Sequence, residues 1–213
     1  MSGKTTKGMP APIRVFLATS NPGKLREYSL LASEFNVELA LLLNIREIPP
    51  FEESAPTFAE NAAGKAQHYS KFSSGIVLAD DSGLVVQALG GAPGVHSARY
   101  AGPNATDGDR VRKLLREMEG KVGEERRARF VCVTAVAQQG RVTAIVSDFA
   151  EGILTEEPRG TDGFGYDPIF FFEKFGCTYA ETTREIKNRH SHRGKAFLKA
   201  LDVLGSSKSV TFP

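Results

Sequence analysis

The amino-acid sequence predicts an α/β fold with a mixed sheet. Short apolar runs alternate with helix-like segments in the first half of the chain. Two β-rich runs then follow, at 129–138 and 141–152, and Gln139-Gly140 between them is typical of a hairpin turn. This order, alternation first and a hairpin afterwards, favours an α/β architecture whose sheet is mixed.

Length and composition predict one globular domain, residues 13–213, after a flexible lead-in over residues 1–12. The chain has 213 residues, of which 41% are hydrophobic and 24% are charged, as is ordinary for a soluble globular protein. The lead-in is basic but lacks the apolar core of a signal peptide. No apolar run approaches the ~18 residues of a membrane span. We therefore expect a cytoplasmic protein with no membrane partner.

Charge and cysteine content restrict the class further. A net charge of +2 is too weak to indicate a nucleic-acid partner by bulk charge alone. The two cysteines, Cys132 and Cys177, lack metal-ligand spacing, so we expect reduced structural thiols.

The first half contains three expected strands and two expected helices. Residues 13–18, 37–43 and 76–79 are apolar runs typical of buried strands. Residues 24–33 carry apolar side chains at helical spacing, as does a segment from 57 to about 72. Thr57 and Glu60 form a capping-box pattern at the start of the second helix. The segment between, 46–57, is a Pro-rich acidic loop.

The second half adds two helices and another strand to the hairpin. Residues 84–102 contain too much glycine for one regular element, whereas 106–119 has a helical pattern. A loop over 158–171 leads into a strand at 169–172. Ser191 is suited to cap a last helix with apolar residues such as Phe197 and Leu201.

The sequence TSNPGK, residues 19–24, is the first candidate binding loop. It lies between an expected strand and an expected helix, where backbone N–H groups, the small Gly23 and the Lys24 ammonium suit an anion. Its spacing is not that of a Walker A loop. The alternative is structural: Asn21 caps the helix, Pro22 takes its first position and Lys24 is solvated.

Two pairs of carboxylates are candidate metal ligands. Asp80 and Asp81 follow a buried strand, and successive strand side chains face opposite ways, so we expect them to have different roles. Such a carboxylate can hold Mg²⁺ or accept a proton from water, unless DDSG is simply a turn. Glu52 and Glu53 either complete a metal site or belong to an exposed acidic loop.

Two later segments carry aromatic and basic groups. In TDGFGYDP, glycines beside Phe164 allow a ring to lie against a flat ligand, unless the aromatics are core residues of a tight loop. KNRHSHRGK, residues 187–195, suits a phosphate or base clamp, an RNA-facing patch, or a solvated helix start. His190 and His192 have no acidic or Cys partner nearby, so no transition-metal site is predicted.

The order of these motifs resembles the inosine triphosphate pyrophosphatase family, whose members hydrolyse dITP, ITP and XTP. The resemblance is carried by ATSNPGKLREY, TFAENAAGKA, ADDSGLVVQALGGAPGVHSARYAG, GFGYDPIFF and SHRGKA, which span residues 18–196 in the family's order. Ser20 and Asp162 stand where glycine is common in the family, and neither difference removes a group that the chemistry needs.

The resemblance implies an elongated mixed sheet flanked by helices, two lobes with a central cleft, and a homodimer. It implies that a nucleoside triphosphate and water give the monophosphate and pyrophosphate. Asp81 matches the family's proton acceptor, which also lies at the metal, with Asp80 as its supporting neighbour. Mg²⁺, with Mn²⁺ as a possible substitute, would bridge phosphate oxygens, and Glu52 or Glu53 would be the acidic-loop ligand.

The resemblance also assigns substrate-binding residues. The triphosphate would be cradled by Thr19, Ser20, Asn21, Pro22, Gly23 and Lys24, with help from Ser82. The base would be walled by Phe164, Gly165, Tyr166 and Asp167, with Phe164 as the stacking ring. Lys187, His192 and Arg193 match base-contacting positions. As donors they suit the C6 carbonyl of hypoxanthine or xanthine and disfavour adenine.

Three rival functions remain open at this point. They are a pyrimidine-specific nucleotide pyrophosphatase of the septum-formation-inhibitor type, a nucleic-acid-binding module and an inactive dimeric scaffold. The first type's motif pattern is not found in the sequence. The modest net charge argues against the second, and Lys24, Asp81 and Lys187 argue against the third.

Overall fold

In the part of the chain that the structure describes, seven strands form one mixed sheet. They are β1 (Ile13–Leu17), β2 (Val37–Leu41), β3 (Ile76–Val86), β4 (Arg127–Gln138), β5 (Arg141–Leu154), β6 (Phe170–Phe172) and β7 (Cys177–Thr178). Their order in the sheet is β2-β1-β3-β4-β5-β6-β7. β1 pairs in parallel with β2 and β3, and the later pairs are antiparallel. The predicted mixed sheet is therefore confirmed.

The computed structural model describes residues 12–42, 45 and 47–205. The predicted lead-in falls almost wholly outside these residues, as do the predicted end of β2 at 43 and the start of the acidic loop at 46. The described part of β2 ends at Leu41.

Helices cover both faces of the sheet. They are α1 (Pro22–Ser33), α2 (Phe58–Ser70), α3 (Asp107–Glu117), α4 (Arg184–His190) and α5 (His192–Val203). α2 packs on one face through Ala62 and Ala66. α1 and α5 pack on the other through residues such as Leu31 and Phe197. None of these described helices is long and apolar enough to span a lipid bilayer.

The predicted helix starts agree with the caps in the structure. The Thr57 hydroxyl accepts the Glu60 N–H at 3.2 Å, and the Ser191 hydroxyl accepts the Gly194 N–H at 3.1 Å. α1 begins at Pro22, two residues earlier than expected, because Asn21 is its N-cap. The helix at 106–119 is α3, which Thr106 caps.

The prediction that the third strand ends at residue 79 is wrong. β3 continues to Val86 and pairs with β4 from Val77 onward, so Asp80 and Asp81 lie within a strand and not in a turn. Gly83 contributes to this course, because a Cβ there would overlap the Gly94 carbonyl and the Ser97 hydroxyl. Only glycine permits this close approach to the extended strand.

Other elements were not expected from the sequence. The Gly-rich stretch contains two short 3₁₀ helices, Gln87–Leu89 and Gly94–Arg99, and another, Asp167–Ile169, precedes β6. α4 and β7 were also not predicted. Both are short, and neither has a length over which periodicity can be recognised.

Two lysines bond to backbone carbonyls along the outer edge of β5. β6 pairs with β5 only at Ile153 and Leu154. Over the preceding part of β5, Lys195 Nζ donates to the Phe149 carbonyl at 3.0 Å and Lys199 Nζ donates to the Ser147 carbonyl at 2.8 Å.

Candidate active site

A cleft of about 700 Å³ opens beside the carboxyl end of β1. β1 pairs with β3 at Ile76, Val77 and Leu78 and then ends, so the next part of β3 presents an edge to the cleft. Side chains from both faces of β3 therefore reach the same space. Ligands commonly bind in this location in α/β folds, outside the carboxyl ends of parallel strands.

The cleft brings together the residues predicted for the site, with one exception. Its lining includes Thr19, Ser20, Asn21, Pro22, Gly23, Lys24, Glu53, Asp81, Ser82, Phe164, Gly165, Tyr166, Asp167, Lys187, His192 and Arg193. The exception is Glu52, which is exposed and lies outside this lining.

The loop after β1 has the helix cap of the structural alternative but not its solvated lysine. Asn21 caps α1, and its side-chain oxygen accepts the N–H groups of Gly23 and Lys24 at 2.8 and 3.1 Å. Lys24, however, is not solvated, because its Nζ lies 2.9 Å from Oδ2 of the buried Asp80. The positive charge of this loop therefore comes from Lys24 and the N-terminus of α1.

Asp80 is a fully buried carboxylate surrounded by cations. Its Oδ2 lies 2.9 Å from Lys24 Nζ and 3.5 Å from Arg193 Nε. Burial alone would raise the pKa of this carboxyl, but Lys24, Arg193 and Lys65 outweigh burial and hold the pKa well below its usual range. Asp80 is thus ionised and holds two cations at the cleft.

Asp81 points to the opposite face and has a different environment. Its Oδ1 accepts the Ser82 N–H at 2.9 Å and its Oδ2 accepts a bond from Asn61 Nδ2 at 3.1 Å. Burial and the nearby Glu53 carboxylate raise the pKa of Asp81 to about 6, against the opposing effect of Lys24. A carboxyl with this pKa can take up a proton near neutral pH.

The acidic loop reaches the cleft through Glu53. Its carboxylate pairs with Lys65 of α2, and its backbone carbonyl accepts a bond from Arg99 Nη2 at 3.0 Å. Lys65 Nζ also donates to the Asp80 carbonyl at 3.2 Å. Lys65 thus adds a second cation close to Asp81.

Three basic residues of the predicted clamp are buried rather than solvated. Lys187 Nζ lies 2.7 Å from Glu27 Oε1 and 2.5 Å from Asp167 Oδ2. Arg193 pairs with Glu27 and donates from Nη2 to the Ser82 hydroxyl at 2.8 Å. Burial would lower the pKa of Lys187, but the Asp167 and Glu27 carboxylates raise it. The solvated-face and RNA-patch interpretations do not fit these side chains.

His192 is a buried, neutral ring within the same cleft. It stacks on Phe130 with ring centroids 4.8 Å apart and an interplanar angle of 10°. Its Nδ1 has no hydrogen-bond partner among the described residues. Burial, together with the positive charges of Arg193 and Lys187, lowers the pKa of His192 well below its ordinary value.

The Phe164 ring lies against α1. A Cβ at Gly23 would come within 2.8 Å of its atoms, so the glycine provides the flat surface on which the ring rests. Lys187 Nζ lies 5.0 Å from the ring centroid and Arg193 Cζ 5.7 Å from it, within cation–π range. An aromatic face, two cations and a neutral imidazole therefore border one end of the cleft.

The site residues that were not identified from the sequence include Glu27, Asn61, Lys65 and Asp107. Glu27 lies four residues from both Gly23 and Leu31, and all three are buried on one face of α1. A carboxylate at this spacing on the buried face of a helix indicates a buried ion pair. Asn61 and Lys65 likewise share one face of α2. Asp107 has no such signal, because its sequence pattern is that of an ordinary first helical turn.

The amino-acid sequence is similar to those of a known protein family. The sequence profile of the Ham1 family matches residues 15–203. A dITP/XTP pyrophosphatase of Geobacillus kaustophilus (strain HTA426) is 50% identical over 185 residues, covering 87% of this chain and 91% of that protein. A dITP/XTP pyrophosphatase of Escherichia coli (strain K12) is 45% identical over 193 residues, covering 90% and 98% respectively.

A solved structure supports the same relationship. A HAM1 protein from Coxiella burnetii has a TM-score of 0.81 with this chain at 40% identity, covering 92% of this chain and all of that one. The names of the two sequence relatives agree with the resemblance drawn from the motifs. The chain belongs to the Ham1 family.

Proposed function

We propose that this protein hydrolyses non-canonical purine nucleoside triphosphates, dITP/ITP and XTP/dXTP, to the monophosphate and pyrophosphate. Such a nucleoside-triphosphate pyrophosphatase would remove these nucleotides from the pool. One observation carries the proposal: Asp81, a buried carboxyl with a raised pKa, shares a cleft with the cations Lys24 and Lys65 and with the aromatic ring of Phe164. The names of the sequence relatives support it.

The cations would bind the triphosphate. Lys24 and Lys65 flank Asp81, and the N-terminus of α1 adds its partial positive charge. Phosphates that enter here would place the α-phosphorus near the Asp81 carboxylate. Fixed positive charges in the cleft stabilise the negative charge that develops on the phosphate oxygens during phosphoryl transfer.

Asp81 would act as the general base. A water oxygen forms a bond to the α-phosphorus, the bond from this phosphorus to the bridging oxygen breaks, and pyrophosphate leaves. The proton from the water goes to the Asp81 carboxylate. Asn61 keeps this carboxylate oriented through the bond to Oδ2, which is 3.1 Å long.

The carboxylates fit a divalent cation, which we propose to be Mg²⁺, with Mn²⁺ as a substitute. Asp81 and Glu53 approach closely enough that the charge of Glu53 raises the pKa of Asp81, and a cation would relieve this repulsion. No group of three or more His, Cys, Asp or Glu side chains forms a metal cage within the described ranges. Mg²⁺ needs no such cage, because it usually takes one or two carboxylates plus water and phosphate oxygens. When bound, it would neutralise phosphate charge.

We assign the acidic-loop ligand to Glu53. Its side chain lines the cleft, whereas that of Glu52 is exposed outside it. Lys65, which pairs with Glu53, would then share this carboxylate with the cation or turn to the phosphates.

The other end of the cleft would select the base. Phe164 offers a stacking face, Lys187 and Arg193 lie within cation–π range of it, and His192 lines the same cleft. Glu27 and Asp167 already accept bonds from the two cations, which fixes where any remaining N–H groups point. Fixed donors favour the C6 carbonyl of hypoxanthine or xanthine and leave adenine opposite unpaired donors.

A homodimer and a cytoplasmic location also remain proposals. Both rest on the motif resemblance and the composition of the chain. For a chain of 23.1 kDa, light scattering after size exclusion would distinguish a dimer from a monomer directly.

The test is pyrophosphate release from dITP, XTP, dGTP and dATP with Mg²⁺, for the wild type, Asp81→Asn and Asp148→Asn. We expect rapid release from dITP and XTP, loss of release in Asp81→Asn, and normal release in Asp148→Asn. Asp148 is a suitable control because it lies on β5, outside the lining of the cleft, where it pairs with Lys199 of α5. No release from any of the four nucleotides by the wild type would contradict the proposed function.

A further inference from the structure

The loop that carries Phe164 is held by carboxylates from two sides. The Phe164 N–H donates to Asp167 Oδ2 at 2.8 Å, and the next N–H, that of Gly165, donates to Asp107 Oδ2 at 2.8 Å. Asp167 belongs to the same loop, whereas Asp107 is the first residue of α3. The second bond therefore ties the loop to a separate part of the fold.

Glycines make this loop dependent on such bonds. Gly163 and Gly165 both have left-handed backbone angles, with φ of 79° and 65°, and glycine has more backbone freedom to lose than any other residue. In the described part of the chain, no heavy atom beyond the chain neighbours lies within 4 Å of where a Gly165 Cβ would be. Gly165 has no side chain that could hold its backbone by packing, so the bond from its N–H to Asp107 is a direct restraint at this position.

Asp107 is itself fixed in position. Its Oδ1 accepts a bond from Arg110, and Arg110 Nη1 donates to the Ala98 carbonyl at 2.9 Å. A parallel link joins the same two regions, because the Tyr166 hydroxyl donates to the Ser97 carbonyl at 3.0 Å. Both links lie along one wall of the cleft.

We propose that Asp107 is a positioning residue for purine selectivity that acts through the Gly165 N–H. This inference rests on the proposed function. With the bond in place, the Phe164 ring and the loop backbone present one geometry to the base. Without the bond from Gly165 to Asp107, the loop adopts several geometries, and discrimination between bases falls. Asp81 lies on β3 and does not depend on this bond, so the phosphate chemistry continues.

The test measures kcat and KM for dITP and dGTP in the wild type, Asp107→Ala and Asp107→Asn. In Asp107→Ala we expect the ratio of kcat/KM for dITP to that for dGTP to fall by roughly tenfold, as for loss of a hydrogen bond to a charged group. The change should appear in KM for dITP, with kcat little altered. Asp107→Asn keeps an oxygen that accepts the Gly165 N–H and should retain most of the selectivity.

Asp109→Ala is the matched control. Asp109 also lies in the first turn of α3, where it accepts the Thr106 N–H at 2.9 Å as part of the capping box. Its removal weakens the same helix start without touching the loop. The selectivity of this variant should match that of the wild type.

The outcomes separate the inference from the proposed function. An unchanged ratio in Asp107→Ala, or an equal fall in Asp109→Ala, would overturn the inference while wild-type activity upholds the function. A wild type that hydrolyses none of the nucleotides overturns the function. Amide hydrogen exchange then still tests whether Asp107 restrains the loop. Faster exchange around Gly165 in Asp107→Ala than in the wild type supports this restraint, and equal exchange overturns it.

Discussion

Neighbouring aspartates of β3 differ in pKa because their side chains face opposite sides of the sheet. Asp80 faces Lys24 and Arg193 and stays ionised, whereas Asp81 faces Asn61 and Glu53 and has a pKa raised to about 6. The alternation of a strand thus provides one permanent anion and one proton acceptor from two adjacent aspartates.

His192 makes stability depend on pH at the residue scale. Its pKa in the folded protein is far below the 6.5 of the free ring. Below pH 6.5 the unfolded chain therefore binds a proton that the folded protein does not, and stability falls as the pH falls. Between pH 7.5 and 5.5 we expect the wild type to lose about 1 kcal/mol more free energy of unfolding than His192→Gln.

Urea denaturation of both proteins at the two pH values provides the measurement. Taking the difference between them removes the contribution of other titrating groups, Asp81 among them. Equal losses in the two proteins would show that His192 is not held neutral.

At the scale of elements, α1 serves both ends of the cleft. Its first turn carries Lys24 toward the phosphate end, Gly23 supports the Phe164 ring, and Glu27 one turn later holds Lys187 and Arg193. A shift of this one helix would therefore disturb phosphate and base binding together.

Gly23→Ala tests this support. The added methyl group would lie 2.8 Å from the ring atoms of Phe164, so the ring must move. We expect KM for dITP to rise several-fold while the free energy of unfolding changes by less than about 1 kcal/mol, since alanine favours a helix more than glycine does.

Gly108→Ala is the control for this change. Gly108 occupies the equivalent second position of α3, and the nearest atom to its Cβ position is Arg112 Nη1 at 3.3 Å. Steady-state kinetics should show an unchanged KM in this variant. An unchanged KM in Gly23→Ala as well would mean that the ring position does not matter for binding.

At the scale of the whole molecule, a buried charge network joins distant parts of the chain. Glu27 of α1 pairs with Lys187 of α4 and with Arg193 of α5. Lys187 also pairs with Asp167, in the loop that carries Phe164, and Arg193 with Asp80 of β3. Removing one charge leaves the buried network with an opposite charge in excess, which is strongly destabilising.

Glu27→Gln should therefore lower the free energy of unfolding by about 3–5 kcal/mol. Glu34→Gln is the control, because Glu34 pairs with Arg189 at 3.4 Å and so also joins the region of α1 to α4, but with the arginine side chain half exposed. A surface pair of this kind contributes at most about 1 kcal/mol. Denaturant unfolding of both variants measures the difference, and equal losses would contradict a structural role for the buried network.

Local signals predicted much of the fold, and the motif resemblance named residues that the structure brings to one cleft. Caps at Thr57 and Ser191 were readable because one side chain and one nearby N–H decide them. The full length of β3 was not readable, because DDSG has turn chemistry and its strand state depends on β4 and on distant cations.

The partners of the site residues were harder to predict than the residues themselves. Lys187 stands in a visibly basic segment, but that it is buried against Glu27 follows only from the packing of α1 on α4. The same holds for Asp107, whose partner Gly165 lies 58 residues away. Contacts between distant segments leave no periodicity in the sequence.

The lysines that bond the carbonyls of Phe149 and Ser147 have a consequence unrelated to nucleotides. An uncovered strand edge is a template on which further chains can add, and charged lysines there are a known obstacle to such growth. At the crowded concentrations of a cell, Lys195 and Lys199 should therefore delay aggregation of the folded enzyme, independently of how fast it turns over.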